Sequence, residues 1–318
     1  MSPLPPVLLL MGPTASGKTR LSLDLADRIP SEIISVDSAQ VYRGMDIGTA
    51  KPDAATLQRV PHHLIDILDP AEAYSAARFR EDALRLIAEV RARGRMPMLV
   101  GGTMLYFRAL QQGLSDLPPA NAALRERIEE DAERLGWPAM HARLAAQDPA
   151  MAARLHPNDQ QRIQRALEVI ELSGIAPSEL YRQPKAGGGG IPGEVIKLAL
   201  NPPARAELHR RIAERFRQMM AEGLLEEVRR LHARGDLHPD LPAVRAVGYR
   251  QLWGHLDGEC SRDEAVERGI AATRQFAKRQ LTWLRSEPGL CWLDPGQPEL
   301  LQRTLGLIGT RSSGMCQT

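Results

Sequence analysis

The sequence predicts an α/β fold, in which a parallel sheet is flanked by helices and interrupted by an all-helical insertion. Short apolar runs alternate with helical periodicity through residue 103, which is the pattern of strands and helices wound into one sheet. From residue 121 to about 174 the pattern is helical throughout, and strand character returns at 194–200. This change predicts that a helical domain is inserted into the α/β domain.

The predicted strands are short apolar runs bounded by turn residues. They lie at 7–10, 32–38, 62–68, 96–103, 194–200 and 289–294. In the α/β part, one predicted helix begins after Thr19. The other predicted helices span 75–93, 204–234, 243–256 and 262–285. The helix at 75–93 has apolar residues at helical spacing and is predicted to end before Gly94.

The predicted α/β domain is discontinuous, at 1–116 and 191–318, and the helical insertion occupies 117–190. Side-chain caps and glycine stops divide the insertion into helices. The candidates are Asn121 and Asn158 for the caps, and Gly136 and Gly174 for the stops. The glycine run within 182–193 predicts a flexible linker.

Charge and cysteine content exclude some function classes. The net charge is only +2, with 41 Lys and Arg against 39 Asp and Glu, so the total gives no argument for a nucleic-acid partner. The cysteines, Cys260, Cys291 and Cys316, are far apart, which excludes a zinc module and a disulfide framework. The apolar run near the start is too short for a signal peptide or a membrane span. We therefore expect a cytoplasmic protein without membrane association and, because no dimerisation signal is evident, a monomer.

A glycine-rich segment directly after the first strand carries the strongest functional signal. It fits G-x-x-x-x-G-K-[ST] and lies between a predicted strand and a predicted helix, the context of a phosphate-binding P-loop. We call it the glycine loop; its residues are Gly12, Pro13, Thr14, Ala15, Ser16, Gly17, Lys18 and Thr19. The motif predicts that the sheet is that of a P-loop NTPase or kinase-like fold.

Each part of the glycine loop suits phosphate chemistry. Gly12 and Gly17 let consecutive backbone N–H groups point into one hollow, and the next helix N-terminus adds positive potential. Lys18 brings a full positive charge, and the Thr19 hydroxyl suits a Mg²⁺ ligand. The loop predicts binding of a di- or triphosphate with Mg²⁺, without naming the molecule.

Polar residues are predicted at the carboxyl ends of two other strands, where ligands bind in open α/β sheets. Asp37 fits three roles: a Mg²⁺ ligand, a general base for an acceptor proton, or a cap on the next turn. Gly101 and Gly102 allow a ligand to approach the backbone, and Thr103 can donate and accept a hydrogen bond. The histidines at 62–63 face opposite sides of a strand, which disfavours a shared metal.

Seven blocks of sequence, in this order, resemble the bacterial tRNA dimethylallyltransferases, also called isopentenyl-diphosphate:tRNA transferases. They are GPTASGKT, DSAQVYRGMDIGTAKP, HHLID, GGTMLY, HPNDQQRIQRALE, RAVGYRQLW and ATRQFAKRQLTWLR. The resemblance extends from about residue 7 to about residue 294. The glycines at 187–190 and the tail at 295–318 do not take part in it.

The resemblance implies prenyl transfer to RNA. The glycine loop would hold dimethylallyl diphosphate with Mg²⁺, and diphosphate would leave as the five-carbon allyl unit is transferred. The acceptor would be N6 of the adenosine immediately 3′ of the anticodon in tRNAs. That base would have to leave its stack to reach the site.

The resemblance also implies roles for individual residues. Asp37 would be the general base for the N6 proton, Thr103 its partner at the adenine, and Lys18 a catalytic cation at the diphosphate. Residues of several blocks would contact the flipped base and the anticodon stem-loop. These are Asp37, Ser38, Ala39, Gln40, Thr103, Arg125, Gln161, Arg162, Ile163, Gln164, Arg165, Arg245, Ala246, Val247, Gly248, Tyr249, Arg250, Lys278, Arg279, Gln280, Leu281, Thr282, Trp283, Leu284 and Arg285.

Three other activities fit parts of the pattern. A small-molecule kinase would hold ATP in the glycine loop and use Asp37 as base toward a hydroxyl, with Arg162 and Arg165 on a lid. A nucleotide switch is disfavoured because the chain has no N-K-x-D block. An isopentenyltransferase acting on free AMP or ADP would have no evident use for the blocks at 245–250 and 278–285.

Overall fold

The computed structural model describes residues 4–183, 190–202 and 204–312 of the chain. Most of the glycine run predicted as a linker and the end of the tail lie outside the described residues. The Cα positions form two compact units. The α/β unit comprises Met1–Gln111 and Ile191–Thr318, and the helical unit comprises Gln112–Gly190.

A parallel sheet of six strands forms the centre of the α/β unit. In chain order the strands are β1 (Val7–Met11), β2 (Ser31–Val36), β3 (His62–His63), β4 (Met96–Gly101), β5 (Val195–Leu200) and β6 (Cys291–Leu293). Their order across the sheet is β3-β2-β4-β1-β5-β6. The strand that leads into the glycine loop therefore lies inside the sheet, between β4 and β5, and the predicted parallel sheet is confirmed.

The helices of the described residues follow the same chain order. They are α1 (Lys18–Ala26), α2 (Ala54–Arg59), α3 (Ala76–Ala92), α4 (Met104–Gln112), α5 (Ala122–Leu135), α6 (Trp137–Gln147), α7 (Pro149–Ala152), α8 (Gln160–Ser173), α9 (Pro177–Leu180), α10 (Arg205–Ala221), α11 (Leu224–His232), α12 (Tyr249–Leu256), α13 (Arg262–Arg285) and α14 (Leu300–Ser312). Helices α5 to α9 lie in the helical unit.

Helices cover both faces of the sheet, as the alternation of side chains along β1 indicates. Leu9 belongs to a core cluster with Phe79 of α3, whereas Leu10 belongs to a separate cluster with Leu25 of α1. All of these side chains are buried. Helix α3 has the predicted inward face and begins after a side-chain cap at Ser75. The predicted α/β architecture is confirmed.

Two predicted elements are wrong in extent. The strand predicted at 62–68 has only two residues, because Leu64 and Asp66 adopt positive φ angles of 63° and 55° and the chain leaves the sheet. The helix predicted at 204–234 is two helices, α10 and α11. They are separated by Gly223, whose φ of 103° is left-handed.

Two other segments also differ from the sequence pattern. The helix predicted from residue 243 begins only at Tyr249. The tail, for which no element was predicted, contains α14. Among the helices of the described ranges, none is long and apolar enough to cross a membrane.

The helical unit has its own small apolar core. Its buried residues include Leu124, Ile128, Met140, Leu144, Ile163 and Leu167. Asn121 caps α5 as predicted, but α8 is capped by Asp159 and not by Asn158. The Asp159 carboxylate is the group that reaches the free backbone N–H of Arg162. Gly136 and Gly174 follow α5 and α8, as predicted.

Candidate active site

The glycine loop joins β1 to α1 at the carboxyl edge of the sheet. A Cβ atom on Gly12 would lie 2.5 Å from the carbonyl oxygen of Leu200 on β5, so no side chain fits there. Gly17 directly precedes α1 with a φ of 95°, in the left-handed region that favours glycine. Both glycines are therefore needed for the bend of this loop.

Lys18 is folded back onto the glycine loop. Its Nζ donates to the carbonyl oxygens of Gly12 at 2.8 Å and Pro13 at 2.7 Å. Burial and the nearby Arg215 guanidinium lower the pKa of Lys18 to about 7, and the Asp37 carboxylate partly opposes this. Burial is the larger cause, and the smaller one, repulsion by the Arg215 guanidinium, shows that the amine lies in the field of a second cation.

Asp37 and Thr103 follow the neighbouring strands β2 and β4. Thr103 Oγ1 accepts a hydrogen bond from the Ser38 backbone N–H at 3.1 Å, which ties the two loops together. Asp37 Oδ1 accepts from the backbone N–H groups of Ala39 at 2.9 Å and Gln40 at 3.4 Å. The cap role of Asp37 is thus observed. Within the described residues no hydrogen bond engages its Oδ2, so the cap is compatible with a second role.

A cavity of about 200 Å³ lies between the glycine loop and the ends of β2 and β4. Its polar lining includes Lys18, Thr19, Asp37 and Arg215, and its apolar lining includes Ile33, Val100 and Phe276. The cavity combines positive charge, one carboxylate and an apolar wall. This combination suits a small ligand that is anionic at one end and apolar at the other.

Another part of the cavity wall is the loop that contains Thr49 and Ala50. The preceding backbone is held by the buried carboxylate of Glu227 on α11. This carboxylate accepts from the N–H groups of residues 46–48 at 2.9, 2.8 and 3.1 Å. The hydroxyl of Tyr249 donates to the same carboxylate at 2.5 Å. Tyr249, which the resemblance implied in RNA contact, is therefore a buried support of the cavity wall.

Two glutamines implied in RNA contact also tie loops of the protein together. Gln40 Nε2 donates to the Thr49 carbonyl at 3.2 Å and lines the cavity. The buried Gln280 accepts from the Thr14 N–H at 3.1 Å and donates to the Gly102 carbonyl at 2.8 Å. It thus links the glycine loop to the loop after β4. Both ends of the Gln280 amide are thus used inside the protein, and its implied RNA contact stays a prediction.

Three more residues implied in RNA contact are buried: Ile163, Gly248 and Leu284. These three residues face the core of the protein, and their implied RNA contacts stay predictions. The physical reason is helical periodicity, which turns some residues of any continuous block toward the core. Ala246, Val247 and Leu281 are only partly buried.

The remaining residues of the two C-terminal blocks are exposed. They are Arg245, Arg250, Lys278, Arg279, Thr282, Trp283 and Arg285. The guanidinium of Arg108 lies 5.4 Å from the centre of the Trp283 ring, and that of Arg279 lies 5.7 Å from the Phe276 ring. RNA contact by these exposed residues stays a prediction.

In the helical unit, two of the implied RNA-binding arginines are bound to a buried carboxylate. Arg125 donates to both oxygens of Glu168 at 2.9 and 3.0 Å, and Arg165 donates to it at 2.6 Å. Burial alone would raise the pKa of Glu168, but hydrogen bonds from the two arginines hold it below its ordinary value. The two guanidinium groups primarily neutralise Glu168. The other polar residues of the block are the exposed Gln161 and Arg162 and the half-buried Gln164.

Arg215 is the charged residue of the cavity lining that sequence reasoning missed. It lies on α10, and desolvation of its guanidinium lowers its pKa although Asp37 opposes the effect. No motif marks it, since it lies in a helix rich in arginine. The buried neighbours Ile212 and Phe216 are the signal that could have placed it near the core-facing side.

The donor set of the cavity fits Mg²⁺ shared with a ligand. Within the described residues, no group of three or more His, Cys, Asp or Glu side chains could hold an ion. Thr19 and Asp37 bring oxygen donors to the same cavity. Mg²⁺ prefers oxygen and is usually held by few protein groups together with phosphates and water.

Comparisons with known proteins identify close relatives of the chain. The family model for IPP transferase matches residues 40–287. A relative from Alkalilimnicola ehrlichii, named tRNA dimethylallyltransferase, is 62% identical over 307 residues, which cover 95% of this chain and 96% of the relative. The solved tRNA isopentenylpyrophosphate transferase of Bacillus halodurans is 38% identical, with a TM-score of 0.70 over 97% of this chain and 98% of that one.

A solved eukaryotic dimethylallyltransferase acting on tRNA has a TM-score of 0.81 at 26% identity, and the match covers 98% of this chain and 80% of that one. Fold and sequence comparisons thus agree over nearly the whole chain. The resemblance inferred from the sequence blocks is confirmed at the level of the family. The chain belongs to the IPP transferase family, the family of the bacterial tRNA dimethylallyltransferases, and is an enzyme.

Proposed function

We propose that this enzyme transfers a dimethylallyl group from dimethylallyl diphosphate to N6 of the adenosine immediately 3′ of the anticodon in tRNAs. The products are N6-(dimethylallyl)adenosine and diphosphate. One observation carries the proposal: Lys18 and Arg215 share a cavity with Asp37 and an apolar wall. The names of the relatives, which are tRNA dimethylallyltransferases, support the same class of reaction.

The glycine loop and the two cations would bind the diphosphate of the donor. The N–H groups of the loop, Lys18 and Arg215 stabilise the negative charge that develops when the allylic C–O bond breaks. A Mg²⁺ ion held by Thr19 and the diphosphate would neutralise further charge on the leaving group. The burial that lowers the pKa of Lys18 supports this assignment, because a bound anion would stabilise the protonated form of a desolvated amine.

Asp37 would act on the acceptor. The N6 lone pair of adenine forms the C–N bond as the electron pair of the C–O bond leaves with diphosphate. The nitrogen then gives one proton to Asp37 Oδ2, the oxygen that the backbone cap leaves available. Thr103 accepts a hydrogen bond from the Ser38 backbone beside Asp37. It would form a hydrogen bond with the adenine and hold the base in position for the transfer.

The acceptor base would have to be extruded from the RNA. The N6 atom of a base that is stacked in the anticodon loop cannot reach a cavity of this kind. The adenosine would therefore leave its stack and lie beside Ser38, Ala39 and Gln40. The exposed arginines of the C-terminal blocks would contact phosphates and fix the register. The helical unit would contribute Gln161 and Arg162, which are exposed.

The test is mass spectrometry of an unmodified tRNA anticodon stem-loop after incubation with dimethylallyl diphosphate and Mg²⁺. We expect one added five-carbon unit on the adenosine 3′ of the anticodon, and none when that adenosine is replaced by guanosine. ATP in place of the allylic donor serves as the control for a kinase. An unchanged RNA mass would contradict the proposal. Consumption of ATP with a small-molecule acceptor would favour the kinase.

A further inference from the structure

A group of three cations and one histidine on α10 and α13 takes no part in the cavity lining. We call it the basic face; it consists of Arg205 and His209 on α10, and Arg274 and Lys278 on α13. Each pair is separated by four residues and therefore shares one face of its helix. Arg205 and Lys278 are exposed, and His209 and Arg274 are half-buried.

The packing of the two helices brings the two pairs together. Leu208, next to His209, belongs to the same buried cluster as Ala277, which lies between Arg274 and Lys278 along α13. Arg205 Nε lies 3.4 Å from His209 Nε2. Burial lowers the pKa of His209, and the charges of Arg205 and Arg274 lower it further. The charges that act on this imidazole from both helices are therefore positive.

The basic face has no internal counter-charge. In the described part of the chain, none of its four residues forms an ion pair with a carboxylate. By contrast, Arg210 and Arg211 of α10 both pair with Glu207 at 2.7 Å. The Nε of Arg274 is buried and has no hydrogen-bond partner. Clustered cations without an acid repel one another, and an external anion would relieve that repulsion.

The same two helices also line the cavity, through Arg215 on α10 and Phe276 on α13. His209 precedes Arg215 on α10 by a distance on the order of 9 Å along the helix axis. Ala15 of the glycine loop packs against the buried cluster of Leu208 and Ala277, so the basic face lies beside the glycine-loop end of the cavity.

We propose that the basic face binds backbone phosphates of the RNA next to the nucleotide whose base enters the cavity. This inference rests on the proposed function, because it takes RNA as the acceptor. RNA carries one phosphate at each nucleotide, and arginine and lysine contact phosphates without reading sequence. A free nucleotide in the cavity would leave the basic face without a partner.

The test is a salt titration of anticodon stem-loop binding for the parent and the double variant Arg205→Gln/Arg274→Gln. Loss of two phosphate contacts should reduce the slope of log affinity against log salt by about 1.4. Arg210→Gln is the matched control on the same helix, since Arg210 is already paired with Glu207 and Glu214. Its slope should equal that of the parent.

Inorganic diphosphate binding, measured on the same proteins, separates a local effect from misfolding. We expect it to be unchanged in the double variant, because the basic face lies outside the cavity lining. A slope equal to that of Arg210→Gln would overturn the inference, as would loss of diphosphate binding together with RNA binding. Transfer to the stem-loop by the parent decides the proposed function separately.

Discussion

Charged residues in two regions of this molecule are used differently. In the helical unit, Arg125 and Arg165 are hydrogen-bonded to the buried Glu168. In the cavity of the α/β unit, the Asp37 carboxylate acts on Lys18 and Arg215 from a distance. Among the described residues no ion pair joins these three. Cations and carboxylates thus pair with one another in the helical unit, whereas those of the cavity are not paired with one another and remain available to a ligand.

The difference separates structural charges from charges that await a ligand. A buried carboxylate with two arginine partners holds helices together, and removing it should reduce stability. A cation beside an unpaired carboxylate in a cavity gains its partner only from a substrate, so removing it should reduce rate or affinity. Each prediction below changes one member of one set and measures stability, rate or affinity, whichever that set is expected to control.

The largest effect is expected for Asp37→Asn. This variant keeps the shape and the backbone cap but removes the basic oxygen, so transfer should slow by about 10²–10⁴-fold. The free energy of unfolding and the affinity for RNA should change little. Single-turnover transfer and denaturant unfolding measure the two quantities. Recovery of the rate when Mg²⁺ is raised would contradict the general base and favour a Mg²⁺ ligand.

For Lys18→Ala we expect a slightly smaller loss. Removing a group that stabilises developing charge on the leaving group costs about 10²–10³-fold in rate. The variant should also bind inorganic diphosphate more weakly, which calorimetry measures. Arg20→Ala, on the same helix and exposed, provides the control. Kinetics of Lys18→Ala equal to those of the parent would contradict the role of Lys18 at the diphosphate.

Glu168→Gln should show the opposite pattern. The loss of charge leaves two arginines with a weaker acceptor, which should cost about 2 kcal/mol of stability, or about 30-fold in the folding equilibrium. The partial exposure of both guanidinium groups limits the cost. Denaturant unfolding measures it, with Asp131→Asn as the surface control, expected near 0–1 kcal/mol. An unchanged free energy of unfolding for Glu168→Gln would contradict the structural role of the charges in the helical unit.

The smallest effect is a pH dependence of diphosphate binding. The free enzyme has a Lys18 pKa of about 7, so the amine loses its charge as the pH rises above that value. A bound diphosphate favours the charged amine and raises its pKa, so binding takes up a proton. Affinity should therefore fall with rising pH, by at most about tenfold per unit.

Lys18→Arg supplies the control, because arginine stays charged throughout this range. Calorimetry at several pH values measures both proteins with the same ligand, so titration of diphosphate itself cancels. If the two proteins show the same pH dependence, the titration does not belong to Lys18.

The architecture could be predicted from the sequence because its signals are local. The apolar run before the glycine loop, the spacing along α3 and the cap at Asn121 each specify an element through neighbouring residues. The prediction of a strand at 62–68 was wrong because Leu64 and Asp66 adopt positive φ angles. Such angles usually occur at glycine, and neither residue is a glycine, so the sequence did not indicate them.

The pairing of charges and amides could not be predicted in this way. Glu227 and Gln280 bind backbone groups more than a hundred residues distant along the chain, so only the fold brings them together. Arg215 is likewise distant in sequence from Lys18 and Asp37. Lys18 and Asp37 were recognisable from the local sequence, whereas Arg215 and the hydrogen bonds that tie the loops together were not.

The most direct test of the central claim is single-turnover transfer from dimethylallyl diphosphate to two acceptors, the anticodon stem-loop and AMP, followed by mass spectrometry. Our account predicts rapid addition of one five-carbon unit to the RNA and scarcely any to AMP, because RNA phosphates hold the adenosine beside Asp37. Transfer to AMP that equals or exceeds transfer to the stem-loop would contradict it.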